Sequence, residues 1–355
     1  MRSTIAFPAL SRRHALGLAA GMLLAGRASR SAAQAATTPA VGKTVKIAPS
    51  LYELVFSRAT GLVHVASAGQ RDQNNAAILG LDPESLEVRA TFTPDEPAFG
   101  LAANNRTGLL YTTNTRSGSV SLVDAKAGRL VTKLARGEKA HVRQVVVDEA
   151  NDRAFVSVPG FQGAGSAIWV IQGREIAQVI EDGLDGGFSA LALDAAGNRL
   201  FAASLASNEV VEIGLADGKV ARRFPSGGES AINIAFDARG NRLFVANQKS
   251  GTLTVLDANS GNLVKSIPTG EGALGVTLAP DGTVLVANRG AGTVSVVDGG
   301  TLAVRASLAT GTHPNTVALG GEGGLAYVSN KARSAGRGQP PVDDPNGDTV
   351  SIIRF

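Results

Sequence analysis

The sequence predicts an all-β fold, a seven-bladed β-propeller whose N-terminal strand closes the last blade. Three observations carry that prediction. Leu243-Phe244-Val245-Ala246-Asn247 recurs at 284–288 and 326–330, and in weaker form at 62–66, 110–114, 153–157 and 200–204. Each copy is followed by a second alternating run, such as Gly251-Thr252-Leu253-Thr254-Val255-Leu256-Asp257, and the period is 41 to 47 residues, the length of a four-stranded blade. The 43 Gly and 5% aromatic residues suit short strands joined by tight turns. Sheets that are apolar on both faces must be packed on both faces, and radial stacking achieves this.

Residues 1–35 stand apart from the repeats. They carry Arg2, Arg12, Arg13, Arg27 and Arg30 with no acid, then a mildly apolar stretch at 15–25 and Ala33-Gln34-Ala35, a small-x-small cleavage site. This reads as an export signal cleaved near Ala35, too short to span a bilayer, which needs about 20 apolar residues. Ser11-Arg12-Arg13-His14-Ala15-Leu16-Gly17 resembles the twin-arginine export motif, with Ala15 and Gly17 replacing its usual Phe and Lys. The expected organisation is a signal at 1–35 and a single propeller at 36–355, located in the periplasm with no integral membrane segment. Removal of the signal leaves 29 Lys and Arg against 30 Asp and Glu, so no bulk positive field remains to steer a polyanion.

Within each unit four β-runs are separated by Gly, Asn and Asp turns. The fifth unit places them at 231–236, 242–247, 252–256 and 263–267. The seventh unit ends after its third run, and a spare alternating strand at 44–48 precedes the first unit. Pairing the two closes the ring and removes both free edges. Trp169, in the alternating run 168–171, is expected in the core.

Tyr327-Val328-Ser329-Asn330, Phe244-Val245-Ala246-Asn247 and Tyr111-Thr112-Thr113-Asn114 resemble YVTN repeats. Further segments are similar to the YncE-type periplasmic propellers: Tyr52-Glu53-Leu54, Ile168-Trp169-Val170, Ile232-Asn233-Ile234, Thr312-His313-Pro314-Asn315 and the run at 81–88. The resemblance runs from about residue 50 to the end of the chain. It implies a periplasmic role and a capacity to bind DNA, preferentially single-stranded.

Aligning the units on their second strands puts Tyr52, Phe99, Arg143, Ser189, Ile232, Leu274 and Asn315 at one inner-strand position, followed by Glu53, Gly100, Gln144, Ala190, Asn233, Gly275 and Thr316. Such unlike side chains around one axis can form an asymmetric pocket. The candidate ligand-binding residues are Tyr52, Glu53, Phe99, Arg143, Gln144, Asn233, His313 and Asn315. The loops after the second strands add a basic crown, with Arg116, Phe161, Lys249, Arg289, Lys331 and Arg333 as candidate nucleic-acid contacts. Acids in the adjoining loops, among them Asp95, Glu96, Glu181 and Glu229, oppose that field.

Catalytic motifs are mostly absent. The chain has no Cys, no paired His motif and no nucleophile elbow, so no catalytic residue, metal site or cofactor is expected. Asp343, Asp344 and Asp348 in the insertion at 331–348 do not have the spacing of an EF-hand. The leading expectation is a non-enzymatic periplasmic scaffold that recognises a protein or small anionic ligand at the channel mouth. Single-stranded DNA binding, or a lactonase-like hydrolase built on Glu53, His313 and Asn315, are the alternatives.

Overall fold

The computed structural model describes residues 38–70, 73–136, 140–160, 165–321, 324–335 and 342–355. The expected signal and twin-arginine motif, at 1–35, lie outside the described residues. Residues 37–355 form one compact unit, and among the described residues no helix is long and apolar enough to cross a membrane.

The alternating runs form seven four-stranded antiparallel sheets. The innermost strands are Leu51–Ser57, Gly100–Asn104, Val145–Asp148, Phe188–Asp194, Ala231–Asp237, Ala273–Leu278 and Pro314–Leu319, for blades 1 to 7 in order. Each touches the next, and the seventh touches the first, so the ring is closed. The fold is the predicted seven-bladed propeller. Trp169 lies between the sheets of blades 2 and 3, 1% exposed, packed with Tyr111, Leu122 and Val156.

The closing strand is Ala40–Lys46, which pairs antiparallel with Thr349–Arg354, Val45 opposite Val350. The sequence placed it at 44–48. The pairing ends earlier because residues 47–50 must leave the outer edge of blade 7 and reach the axis, where blade 1 begins at Leu51.

Two repeated polar devices hold the blades. The Asn that ends each well-formed repeat is buried and clamps the second strand to the third. Asn330 Nδ2 donates to Thr349 Oγ1 at 3.0 Å and Ser351 Oγ at 2.9 Å, and Asn114 makes the same bonds to Ser119 and Ser121. The hydroxyls in Gly-Thr-x-Thr/Ser runs therefore answer a buried amide that would otherwise lack partners. At the opposite end of the first hairpin, Asp148, Asp194 and Asp237 pair with Arg153, Arg199 and Arg242, whose guanidinium groups lie over Phe155, Phe201 and Phe244.

Candidate functional site

The innermost strands change register near the channel mouth. In blades 1, 4, 5, 6 and 7 the shift falls between Leu51 and Leu54, Phe188 and Ala190, Ala231 and Asn233, Ala273 and Gly275, and Pro314 and Thr316. A bulge adds a residue to one strand and re-aims its side chain. Here the added residues include Tyr52, Ser189, Ile232, Leu274 and Asn315. With Phe99 and Arg143 they line one cavity of about 390 Å³. All seven positions aligned from the sequence thus meet around the axis.

The next position obeys a rule that the sequence reading missed. Glu53, Gln144 and Asn233 alternate around the ring with Gly100, Ala190 and Gly275. A long side chain crosses to the neighbouring blade, which must be small to admit it. Glu53 Oε2 accepts the Leu101 N–H at 3.0 Å, and Gln144 Oε1 accepts the Leu191 N–H at 2.6 Å. A Cβ on Gly100 would meet the Arg143 carbonyl oxygen and stand 3.1 Å from Glu53 Oε2. Asn233 is too short to cross and accepts its own neighbour's N–H, from Ile234, at 2.8 Å. Seven is odd, so two polar residues must meet once; there the Thr316 hydroxyl donates to the Tyr52 carbonyl at 3.4 Å. The polar character at Gln144 and Asn233 therefore has a structural cause, read from the sequence as a sign of ligand contact.

The charges are unevenly spent. Among the described residues lining the mouth, Glu53 is the one carboxylate. Burial pushes it up to about 7, against the Leu101 N–H and the Arg143 charge, which favour ionisation. The Arg143 guanidinium carries no ion pair or hydrogen bond among the described residues. Burial lowers it from its ordinary value, as it does Arg289 and Lys331. Arg289 Nη1 donates to Asn315 Oδ1 at 3.0 Å. Lys331 Nζ lies 3.4 Å from the Tyr52 ring centroid, Tyr52 meets Phe99 edge-on at 4.7 Å, and Arg116 lies 5.2 Å over Phe99. Burial and the Arg143 charge both lower His141 from its ordinary value. A buried cation whose one carboxylate neighbour, Glu53, is kept from full ionisation by burial is costly, and an anion in the cavity would relieve that cost.

Among the described residues, four acids of the adjoining loops are paired with cations elsewhere. Asp95 and Glu96 pair with Lys133, Glu181 with Arg136, and Glu229 with Lys249. Lys249, so paired, is not among the residues that line the mouth. Arg333 and His313 line a neighbouring cavity, and Phe161 lies outside the described residues. Asp344 and Asp348 are committed to the chain: Asp344 accepts from Thr312 Oγ1 at 2.8 Å and the Arg333 N–H at 3.0 Å, Asp348 from the Leu51 and Ala332 N–H groups. Among the described residues no group of three or more His, Asp or Glu is placed to hold a metal ion.

Seven closed blades around a cation-lined mouth define the class, a seven-bladed β-propeller scaffold. No protein-family model matches the chain. It is similar to proteins described as uncharacterized protein YncE from Escherichia coli O157:H7, Escherichia coli strain K12 and Salmonella typhi, each 31% identical over 216 residues. The match covers 58% of this chain and 58% of the length of each relative. Fold and similarity together support a YncE-like propeller.

Proposed function

We propose that the chain is a non-enzymatic recognition module, exported to the periplasm, that binds a small anion with an apolar or aromatic body at the channel mouth. One observation carries this reading: among the described residues the Arg143 guanidinium at the mouth has no ion pair or hydrogen bond, and burial opposes ionisation of the one carboxylate there, Glu53, whereas Arg153, Arg199 and Arg242, elsewhere in the same fold, are each paired with a carboxylate. Arginine is suited to such a place because its planar fork takes a carboxylate or phosphate through two parallel hydrogen bonds. Tyr52 and Phe99 supply the apolar wall, and the cavity's size suits a small organic acid. The periplasmic location rests on the basic, acid-free segment and Ala33-Gln34-Ala35 site at the N-terminus.

Calorimetric titration with benzoate and its uncharged isostere benzamide tests the reading. Benzoate is expected to bind at least tenfold more tightly, and an Arg143→Ala/Arg289→Ala double variant to lose that preference. Equal affinity for the two compounds would overturn it.

The aromatic pair flanked by Lys331 and Arg116 favours a second reading, single-stranded DNA, with bases on Tyr52 or Phe99 and phosphates on the cations. That reading requires affinity to rise with oligonucleotide length and to fall steeply with salt.

A further inference from the structure

Arg289 lines one cavity and bonds a residue that lines the other, the mouth. At the mouth its Nη1 donates to Asn315. Its side chain also lines a second cavity of about 390 Å³ between the loops of blades 6 and 7, together with Arg333, His313 and Asn346. Gly290, Gly292 and Gly311 form part of the wall, so backbone rather than side chains bounds that side.

Two features of this second cavity are not required by the fold. The Arg333 side chain is exposed and its guanidinium has no ion pair or hydrogen bond among the described residues; Asp344 accepts its backbone N–H and attracts its charge from beyond ion-pair distance. His313 Nδ1 is buried and has no hydrogen-bond partner among the described residues. His313 also occupies a left-handed backbone position, φ 45°. The equivalent turns before the inner strands of blades 1, 4, 5 and 6 meet the same need with Ser50, Gly187, Ser230 and Gly272. The turn thus calls for a left-handed residue but has no use for an imidazole, and a bulky residue held there points to a role beyond the turn. Asp344, whose charge acts on both His313 and Arg333, is hydrogen-bonded to Thr312 and the Arg333 backbone.

We propose that this cavity is a second anion subsite joined to the mouth through Arg289, and that the ligand is an elongated molecule with an acidic group at each end. Arg143 takes the proximal acid, Arg333 and His313 take the distal one, and Arg289 lies between them. The inference rests on the reading of the mouth as an anion site.

The test is calorimetric titration of the full chain with chain-matched pairs: hexanoate against adipate, and octanoate against suberate. At least one diacid is expected to bind about tenfold or more tightly than its monoacid, the worth of one added charge-assisted pair. Arg333→Ala is expected to bring the ratio close to one. Equal affinity within every pair, or a diacid advantage preserved in Arg333→Ala, overturns the second subsite. Arg143-dependent monoacid binding without a diacid advantage overturns the subsite alone. Absence of binding by every acid overturns the reading of the mouth as well.

Discussion

The Lys331 ammonium nitrogen lies 3.4 Å from the centroid of the Tyr52 ring, so the last blade rests a cation on an aromatic face of the first. Tyr52 passes the contact on to Phe99 and Phe99 to Arg116, which links blades 7, 1 and 2 through side chains at the mouth. A desolvated cation–π contact contributes about 0.5–2 kcal/mol. Tyr52→Leu keeps apolar bulk and removes the ring. In a double-mutant cycle with Lys331→Gln, denaturant unfolding is expected to show a coupling of about 1 kcal/mol. Additive effects would show that the two residues are neighbours without being partners.

At Gly100 the inner strands of neighbouring blades approach closely. A methyl there collides with the Arg143 carbonyl and crowds the Thr113 hydroxyl. Both neighbours belong to ladder or bridging hydrogen bonds, Thr113 Oγ1 donating to the Arg143 carbonyl at 2.6 Å, so neither is free to move. Gly100→Ala is expected to cost about 2–3 kcal/mol, whereas Gly165→Ala, where a Cβ meets only open space and the backbone is not left-handed, is expected to cost less than half of that. Thermal melts of the two variants compare them directly, and similar losses would remove the packing argument.

Glu53 makes stability pH-dependent. Its carboxyl sits at about 7 in the folded chain against an ordinary value of 4.5. Between those values the native state binds more proton than the unfolded state, so stability falls as pH rises. The contribution is fully present below about pH 4.5 and is lost by pH 7 and above, about 3 kcal/mol in all. Glu53→Gln retains an acceptor for the Leu101 N–H and has no charge to bury. The variant is expected to match the parent at pH 4.5 and to melt higher at pH 8; parallel melting curves across that range would contradict the assignment. The ionised carboxylate also opposes an anion in the mouth, so anion affinity should weaken above pH 7 in the parent more than in Glu53→Gln.

The fold was legible because the repeat is a physical unit. Asn247, Asn288 and Asn330 recur with hydroxyl-bearing third strands since the buried amide needs those partners. The missing strand of blade 7 was legible for the same reason: a ring with an open edge leaves backbone groups unpaired. The mouth was legible as a set of positions, and its chemistry was only partly so. Gln144 reads as a ligand contact until its oxygen is seen on the Leu191 N–H. Lys249 reads as a phosphate contact until Glu229 is found 2.7 Å from it. His313 was grouped with Glu53 and Asn315 by sequence, and the turn carries its ring into the neighbouring cavity. Side-chain reach across blades, and the pairing of charges on separate loops, have no short-range signature in the chain.

The closing strand fastens the two ends of the ring. Val41 packs at the edge of the core cluster that holds Val328 and Ile353, and Thr44 Oγ1 bonds Ser351 Oγ at 2.8 Å. Deleting residues 36–50 exposes the Thr349–Arg354 edge, whose side chains are almost all buried. The truncated chain is expected to melt well below the parent and to aggregate on heating, measured by calorimetry and light scattering. An unchanged melting temperature would remove the closure argument.

Location of a bound anion tests the central claim most directly. Crystals soaked in 4-bromobenzoate mark the ligand by the anomalous signal of its bromine. The account predicts bromine density in the mouth against Tyr52 and Phe99, with the carboxylate within hydrogen-bond distance of Arg143. Density confined to the outer rim, with the Arg143 guanidinium still unpaired, would contradict it.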